Sequence, residues 1–200
     1  MTLTATRPAT DPYAAARRAM IDSQLRTSGV NEPWVLAAFS ALPREDFVPT
    51  AMRDAAYIDR AIALDNGRFL AAPLVHGKML AEAMPNTADN ALLIGDANGY
   101  LAALLRPLVG ALDCLDPAKA SKAKKASFSL ILIDGAAEKL PDAVTKSLTE
   151  GGRLVTGLLE RGITRLATGF MAGGHLALLP LAEMGIPSLP EFAAAKSWSF

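Results

Sequence analysis

Asn90 to Leu105 constrains the fold of this chain more than any other stretch. It reads Asn-Ala-Leu-Leu-Ile-Gly-Asp-Ala-Asn-Gly-Tyr-Leu-Ala-Ala-Leu-Leu. An apolar run as brief as Ala91 to Ile94, closed by Gly95, is too short for a helix and suits a strand buried on both faces. From Tyr100 the Leu- and Ala-rich run favours a helix whose free N–H groups point back at the strand end. In open α/β sheets the carboxyl end of such a strand is where nucleotide-like ligands lie. Gly95 and Gly99 bound the turn, but Ala97 stands between them, where a ligand-cradling loop usually has a third glycine. If the turn needs a left-handed residue there, the Cβ costs roughly 1–2 kcal/mol. Asp96 and Asn98 are good N-cap residues, so the loop either binds a ligand or satisfies the helix end by itself.

The rest of the chain frames this unit. With 200 residues, 51% of them hydrophobic, and zero formal net charge, the composition fits one ordinary globular domain with a sizeable core. Charge balance gives no argument for nucleic acid or an anionic membrane as partner. One cysteine, Cys114, lies in an apolar run, which excludes an intrachain disulfide and predicts a buried strand thiol. The first residues lack the apolar core of a secretory leader and no stretch approaches membrane-spanning length, so a cytoplasmic location is expected.

Residues 1–10 are expected to be flexible, and residues 11–70 to form a helical and hairpin subdomain. Asp11-Pro12 opens one helix running to Leu25, and Asn31-Glu32-Pro33 opens a second, whose Trp34 and Phe39 are expected in the core. Asp65-Asn66-Gly67 between two short apolar runs predicts a hairpin. Residues 71–185 are expected to hold the α/β core. Pro73 begins a helix to Met84; its His76 has no second ligand at metal spacing and reads as a satisfied histidine. Ala111 to Leu115 predicts a second strand ending at Asp116. An acid there either accepts from ribose hydroxyls or caps the next helix. Lys119, Lys122, Lys124 and Lys125 read as a solvated helix face. Ser127 to Ile133 is the clearest buried strand, ending at Asp134-Gly135. A helix over Pro141 to Leu148, a strand over Arg153 to Leu159 and a closing antiparallel hairpin over 163–181 complete a mostly parallel sheet with helices on both faces. Residues 186–200 are expected to dock as a tail through Trp198 and Phe200.

Several blocks in order then resemble the protein-L-isoaspartate O-methyltransferases. They are Met20-Ile21-Asp22-Ser23-Gln24-Leu25-Arg26, Pro43-Arg44-Glu45-Asp46-Phe47-Val48-Pro49, Ala56-Tyr57-Ile58-Asp59, Gly99-Tyr100 with Ala102 to Leu105, Ile133-Asp134-Gly135-Ala136-Ala137, and Gly151-Gly152-Arg153-Leu154-Val155. The resemblance implies a Rossmann-like methyltransferase sheet, S-adenosylmethionine as cofactor, a protein or peptide carboxylate as methyl acceptor, and Gly95, Asp96, Gly99, Tyr100 and Asp116 as the cofactor-binding residues.

The chain departs from that family at three places. The family's Ser-Gln-Pro before the third helix is Ala71-Ala72-Pro73 here, so no hydroxyl stands near the accepted carboxylate. The cofactor loop has Leu93 for an acid and Ala97 for its central glycine. Only Asp116 to Ser127 separate two strands that the family joins through a further strand and an adenine-covering loop, so the third strand is expected to be deleted. Two functions follow: a methyltransferase with degraded motifs, or an inactive relative acting as an interaction protein. Deletion of the third strand would expose Ala111 to Leu115 as a sheet edge, and a homodimer through that edge is the expected partner contact.

Overall fold

The structure, a computed structural model, describes residues 11–194. The expectations for residues 1–10 and for Trp198 and Phe200 lie outside the described residues.

Asn90 to Ile94 form β3, second from one edge of a six-stranded sheet. Its parallel neighbours are β4 (Ala111–Leu115) and β5 (Phe128–Ala137). β6 (Leu148–Glu160) extends the parallel set, and β7 (Ile163–Ala172) and β8 (His175–Glu183) close it antiparallel, giving the order β4-β3-β5-β6-β7-β8. This is the α/β Rossmann-like sheet with a C-terminal antiparallel hairpin. Among the described residues no strand lies outside β4, as the short Asp116 to Ser127 connection predicts.

Because strand side chains alternate, the sheet divides its apolar residues between two layers. Ala91, Leu93, Leu130, Leu132 and Val155 face the larger layer. There they meet α1 (Ala14–Met20), α2 (Pro33–Ala41), α3 (Pro73–Ala83) and α4 (Tyr100–Leu105). Leu92, Ile94, Ile131, Ile133 and Leu154 face the other. The helices expected there are much reduced: Pro141 to Leu148 yields only α5 (Asp142–Thr145), because β6 already begins at Leu148. The Lys-bearing segment makes a 3₁₀ turn over Pro117–Lys122, its lysines exposed. Val144, Leu189 and Phe192 complete this second layer.

The first helix continues beyond α1 through a π turn (Ile21–Leu25) and a 3₁₀ turn (Arg26–Ser28) to Gly29, which takes a left-handed φ of 81°. The predicted hairpin is β1 (Ile62–Ala63) and β2 (Phe69–Leu70). Phe39 is fully buried, whereas Trp34 is half-buried against the core. Cys114 is likewise half-buried rather than enclosed, because β4 is an edge strand; its remaining burial still pushes the thiol pKa up.

A polar bolt holds the N-terminal helices to the sheet layer. Arg17 Nε donates to Tyr57 Oη at 2.7 Å and its Nη2 to Glu45 at 2.9 Å, while Tyr57 donates to the same carboxylate. Beside it, fully buried Arg44 donates from Nε to the Ala56 carbonyl at 2.7 Å and from Nη2 to the Ala71 carbonyl at 2.6 Å. These bonds fix the segment entering α3.

Candidate functional site

A cleft of about 270 Å³ opens over the carboxyl ends of the central strands. Its walls come from the Gly95–Tyr100 loop, Phe47, the β1–β2 hairpin, Pro117, Asp134 and Leu189.

The loop is built without left-handed residues: none of 95–99 has positive φ, and Gly99 sits at φ −75°. The strain expected at Ala97 is therefore absent, since its backbone lies where any residue is comfortable. Bare glycine is needed for packing instead. A Cβ on Gly95 would stand 3.0 Å from Asp134 Cβ, and one on Gly99 would stand 3.1 Å from Asp96 Cβ. Asp96 Oδ1 accepts from the Asn98 N–H at 2.9 Å, and the Gly99 N–H donates to the Asp96 carbonyl at 3.0 Å, so the turn satisfies much of its own polar backbone. Tyr100 begins α4 with its ring almost fully buried against Phe39 and Phe47.

Asp116 stands at the end of β4. Its Oδ1 accepts from the Ala118 N–H at 2.9 Å, the N-cap role, and both oxygens lie 3.3 Å from Arg68 Nη2. Arg68 also pairs with Glu191 at 2.9 Å, so the hairpin is tied across the cleft mouth to two acids. Ala71 is buried beside Arg44 and presents no hydroxyl.

Sequence reasoning missed the groups behind the cleft. Opposite β6, the five residues from Leu132 to Ala136 run alongside only three, from Val155 to Gly157. This bulge turns Asp134 towards the cleft. Gly135 makes the bend at φ 154°, where a Cβ would stand 2.6 Å from Leu189 Cγ. The strand end is closed from outside by Ile186 to Leu189: Ala136 N–H donates to Pro187 at 2.8 Å and Leu189 N–H to Ala136 at 2.9 Å. Asp134 Oδ1 lies 2.9 Å from Nε2 of His76, which is wholly buried in α3. His76 is therefore not a fully satisfied histidine; among the described residues its Nδ1 has no partner. Nη1 of Arg44 and Oη of Tyr100 are likewise buried and unpartnered. The three residues form one cluster, with Arg44 Cζ 5.0 Å above the Tyr100 ring and the His76 ring 6.0 Å from it. Burial pushes the Arg44 pKa down to about 10, opposed by Tyr100 and Asp134, and pushes the Tyr100 hydroxyl well above its ordinary value. An acid closing the clearest strand was visible in sequence; its pairing with a histidine 58 residues away was not.

No helix among the described residues is long and apolar enough to cross a membrane, and none of their His, Cys, Asp or Glu side chains gather as a metal site.

Comparison with known proteins places this geometry. The family model of protein-L-isoaspartate(D-aspartate) O-methyltransferase matches residues 15–115. Protein-L-isoaspartate O-methyltransferase 1 of Rhodopseudomonas palustris (strain HaA2) is 30% identical over 72% of this chain and 69% of its own length. The Methanoculleus marisnigri protein-L-isoaspartate O-methyltransferase is 27% identical over 91% of this chain and 95% of its own. The fold is shared with a Plasmodium falciparum protein-L-isoaspartate O-methyltransferase crystallised with S-adenosyl-L-homocysteine: TM-score 0.72 and 16% identity, covering 88% of this chain and 98% of that one. Half the chain matching the family model in sequence, together with the relatives' coverage, shows that the chain belongs to the protein-L-isoaspartate(D-aspartate) O-methyltransferase family.

Proposed function

We propose that the chain is an S-adenosylmethionine-dependent methyltransferase with a reduced cofactor site. The observation that carries this reading is the Gly95–Gly99 loop lining the cleft at the end of β3, with Asp116 at the end of the adjacent strand β4 and paired to Arg68 of the cleft wall. That is where nucleotide-like ligands lie in open α/β sheets.

The residues fit such a group at separate points. Gly95 and Gly99 bring the loop backbone to the cleft wall. Asp116 is half-exposed, and its 3.3 Å pairing with the partly exposed Arg68 is an ion pair of the kind worth about 0–1 kcal/mol, so ribose hydroxyls can displace it. Phe47 offers an apolar wall, and Asp96 offers an acceptor to an ammonium group. Bound there, S-adenosylmethionine supplies an electrophilic methyl group. The chain's contribution is to orient it, exclude water and hold the acceptor in line. The family's carboxylate acceptor is expected to react poorly here, because Ala71 gives no hydroxyl and the cleft is lined by acids.

Thermal unfolding with S-adenosylhomocysteine tests the cofactor. Ligand at a hundred times its dissociation constant adds about 2.7 kcal/mol, roughly 5–10 °C for a domain of this size. No shift at millimolar ligand would sink the reading.

A second reading, an inactive family member that associates through its sheet edge, is favoured by one observation: the outer side of β4 is unpaired among the described residues. Sedimentation should then show a dimer with slowed amide exchange in Ala111 to Leu115. A monomer with fast exchange in that strand would remove this alternative.

A further inference from the structure

We propose that the methyl acceptor of this chain carries its own proton on oxygen or nitrogen, as a hydroxyl or an amine, and that Asp134 is the group that takes that proton. The proposal rests on the methyltransferase reading above and specifies its acceptor.

The bulge in β5 brings the Asp134 carboxylate to the cleft with 16% of its side chain exposed. Oδ1 is held by His76, while Oδ2 has no hydrogen-bond partner among the described residues. Among the described residues the His76 ring makes one polar contact, since Nδ1 is buried without a partner there. Nε2 is the ring nitrogen that meets Asp134, and Arg44 and His76 both pack against the Tyr100 ring. His76 is thus a positioning residue that fixes one carboxylate oxygen and leaves the other free to act.

Charge then selects the acceptor. The cleft is lined by Asp46, Asp96 and Asp134 against the single guanidinium of Arg68, which is already shared between Asp116 and Glu191. An incoming carboxylate meets like charges, and it needs no base because it is already ionised at neutral pH. A hydroxyl or amine brings no negative charge and must lose a proton as it attacks, which gives an oriented carboxylate a role. The acceptor heteroatom forms its bond to the methyl carbon while that carbon's bond to sulfur breaks, the electron pair going to sulfur. The heteroatom's proton passes to Asp134 Oδ2.

The test combines binding, ring protonation and product chemistry in the full chain. Calorimetry with S-adenosylhomocysteine should give similar affinity, within about threefold, for wild type and Asp134→Asn, showing that the variant folds and keeps the cofactor site. The acceptor probes, with methyl-labelled S-adenosylmethionine, are an isoaspartyl peptide and an undialysed heat-treated bacterial extract. Label in base-stable products, as ethers or methylamines, that falls at least about 100-fold in Asp134→Asn supports the proposal. His76→Gln should give a partial loss of that label. Nitrogen NMR of the two histidines should show the His76 Nε2 proton hydrogen-bonded to Asp134, a signal lost in Asp134→Asn. Base-labile methyl ester that persists in Asp134→Asn, a His76 Nε2 signal indifferent to Asp134→Asn, or no transfer by a wild type that binds S-adenosylhomocysteine each overturns the proposal. Failure of the wild type to bind would instead remove the methyltransferase reading beneath it, and the proposal with it.

Discussion

Arg68, on the hairpin over the cleft, places Nη2 3.3 Å from both carboxylate oxygens of Asp116 at the end of β4. The acid that would hold ribose hydroxyls is thus engaged by the protein's own cation. Asp116→Ala should weaken S-adenosylhomocysteine binding about tenfold, equivalent to about 1.4 kcal/mol of lost hydrogen bonding. Arg68→Ala, which frees the acid, should tighten binding two- to fivefold by titration calorimetry. Weaker binding in Arg68→Ala would show that this arginine holds the ligand rather than competing with it.

Asp89 and Arg153 make a two-point ion pair that is largely buried, with Oδ1 at 3.0 Å and Oδ2 at 2.6 Å from the two guanidinium nitrogens. Arg153 also donates to the Ala83 and Met84 carbonyls, capping the end of α3 with positive charge. Burial alone would raise the Asp89 pKa, but hydrogen bonds from Arg153, Ser129 and the Asn86 N–H outweigh it and hold it below the ordinary value. The folded carboxyl therefore binds protons less readily than the unfolded one. Its contribution to stability is full above about pH 4 and is lost as pH falls through the lowered folded value. Arg153→Met should cost about 3–5 kcal/mol in urea unfolding, because it strands a buried carboxylate. Asp89→Asn should flatten the stability profile below pH 4.

Ala97 occupies the loop without backbone strain, since no residue of 95–99 has positive φ. Ala97→Gly should therefore lower stability, by up to about 1 kcal/mol of added chain entropy. If the methyl group stands in the way of the cofactor, affinity for S-adenosylhomocysteine should rise severalfold. Unchanged affinity would clear Ala97 as the obstruction.

Gly157 lets the bulged end of β5 and residue Ile186 pack against β6. A Cβ there would stand 2.8 Å from Ala136 Cα and 2.9 Å from Ile186 Cγ2. Gly157→Ala should cost about 1–3 kcal/mol of stability by overpacking. The displaced bulge should also shift the resonances of His76, because Asp134 moves with it. A destabilised variant with an unmoved His76 signal would separate the bulge from the aim of Asp134.

Local sequence determined the elements whose causes are local. The continuous apolar runs at Ala91 to Ile94 and in Ser127 to Ile133 specify strands buried on both faces, the prolines before α2 and α3 set their starts, and Asn66-Gly67 sets the hairpin. The short Asp116 to Ser127 connection left no room for another strand, so the edge position of β4 was legible too. The shortening of the helix between Pro141 and Leu148 was not legible, because pairing of Leu148 with Phe128 overrides a weak helical propensity. The tertiary structure alone decided the site's polar interior. Whether Asp134 faces the cleft depends on a register shift between β5 and β6. Whether His76 meets it depends on how α3 lies on the sheet, and Arg68 reaches Asp116 only because the hairpin folds over the strand ends. These are contacts between residues 48 and 58 positions apart, fixed by packing and register rather than by anything the neighbouring residues encode.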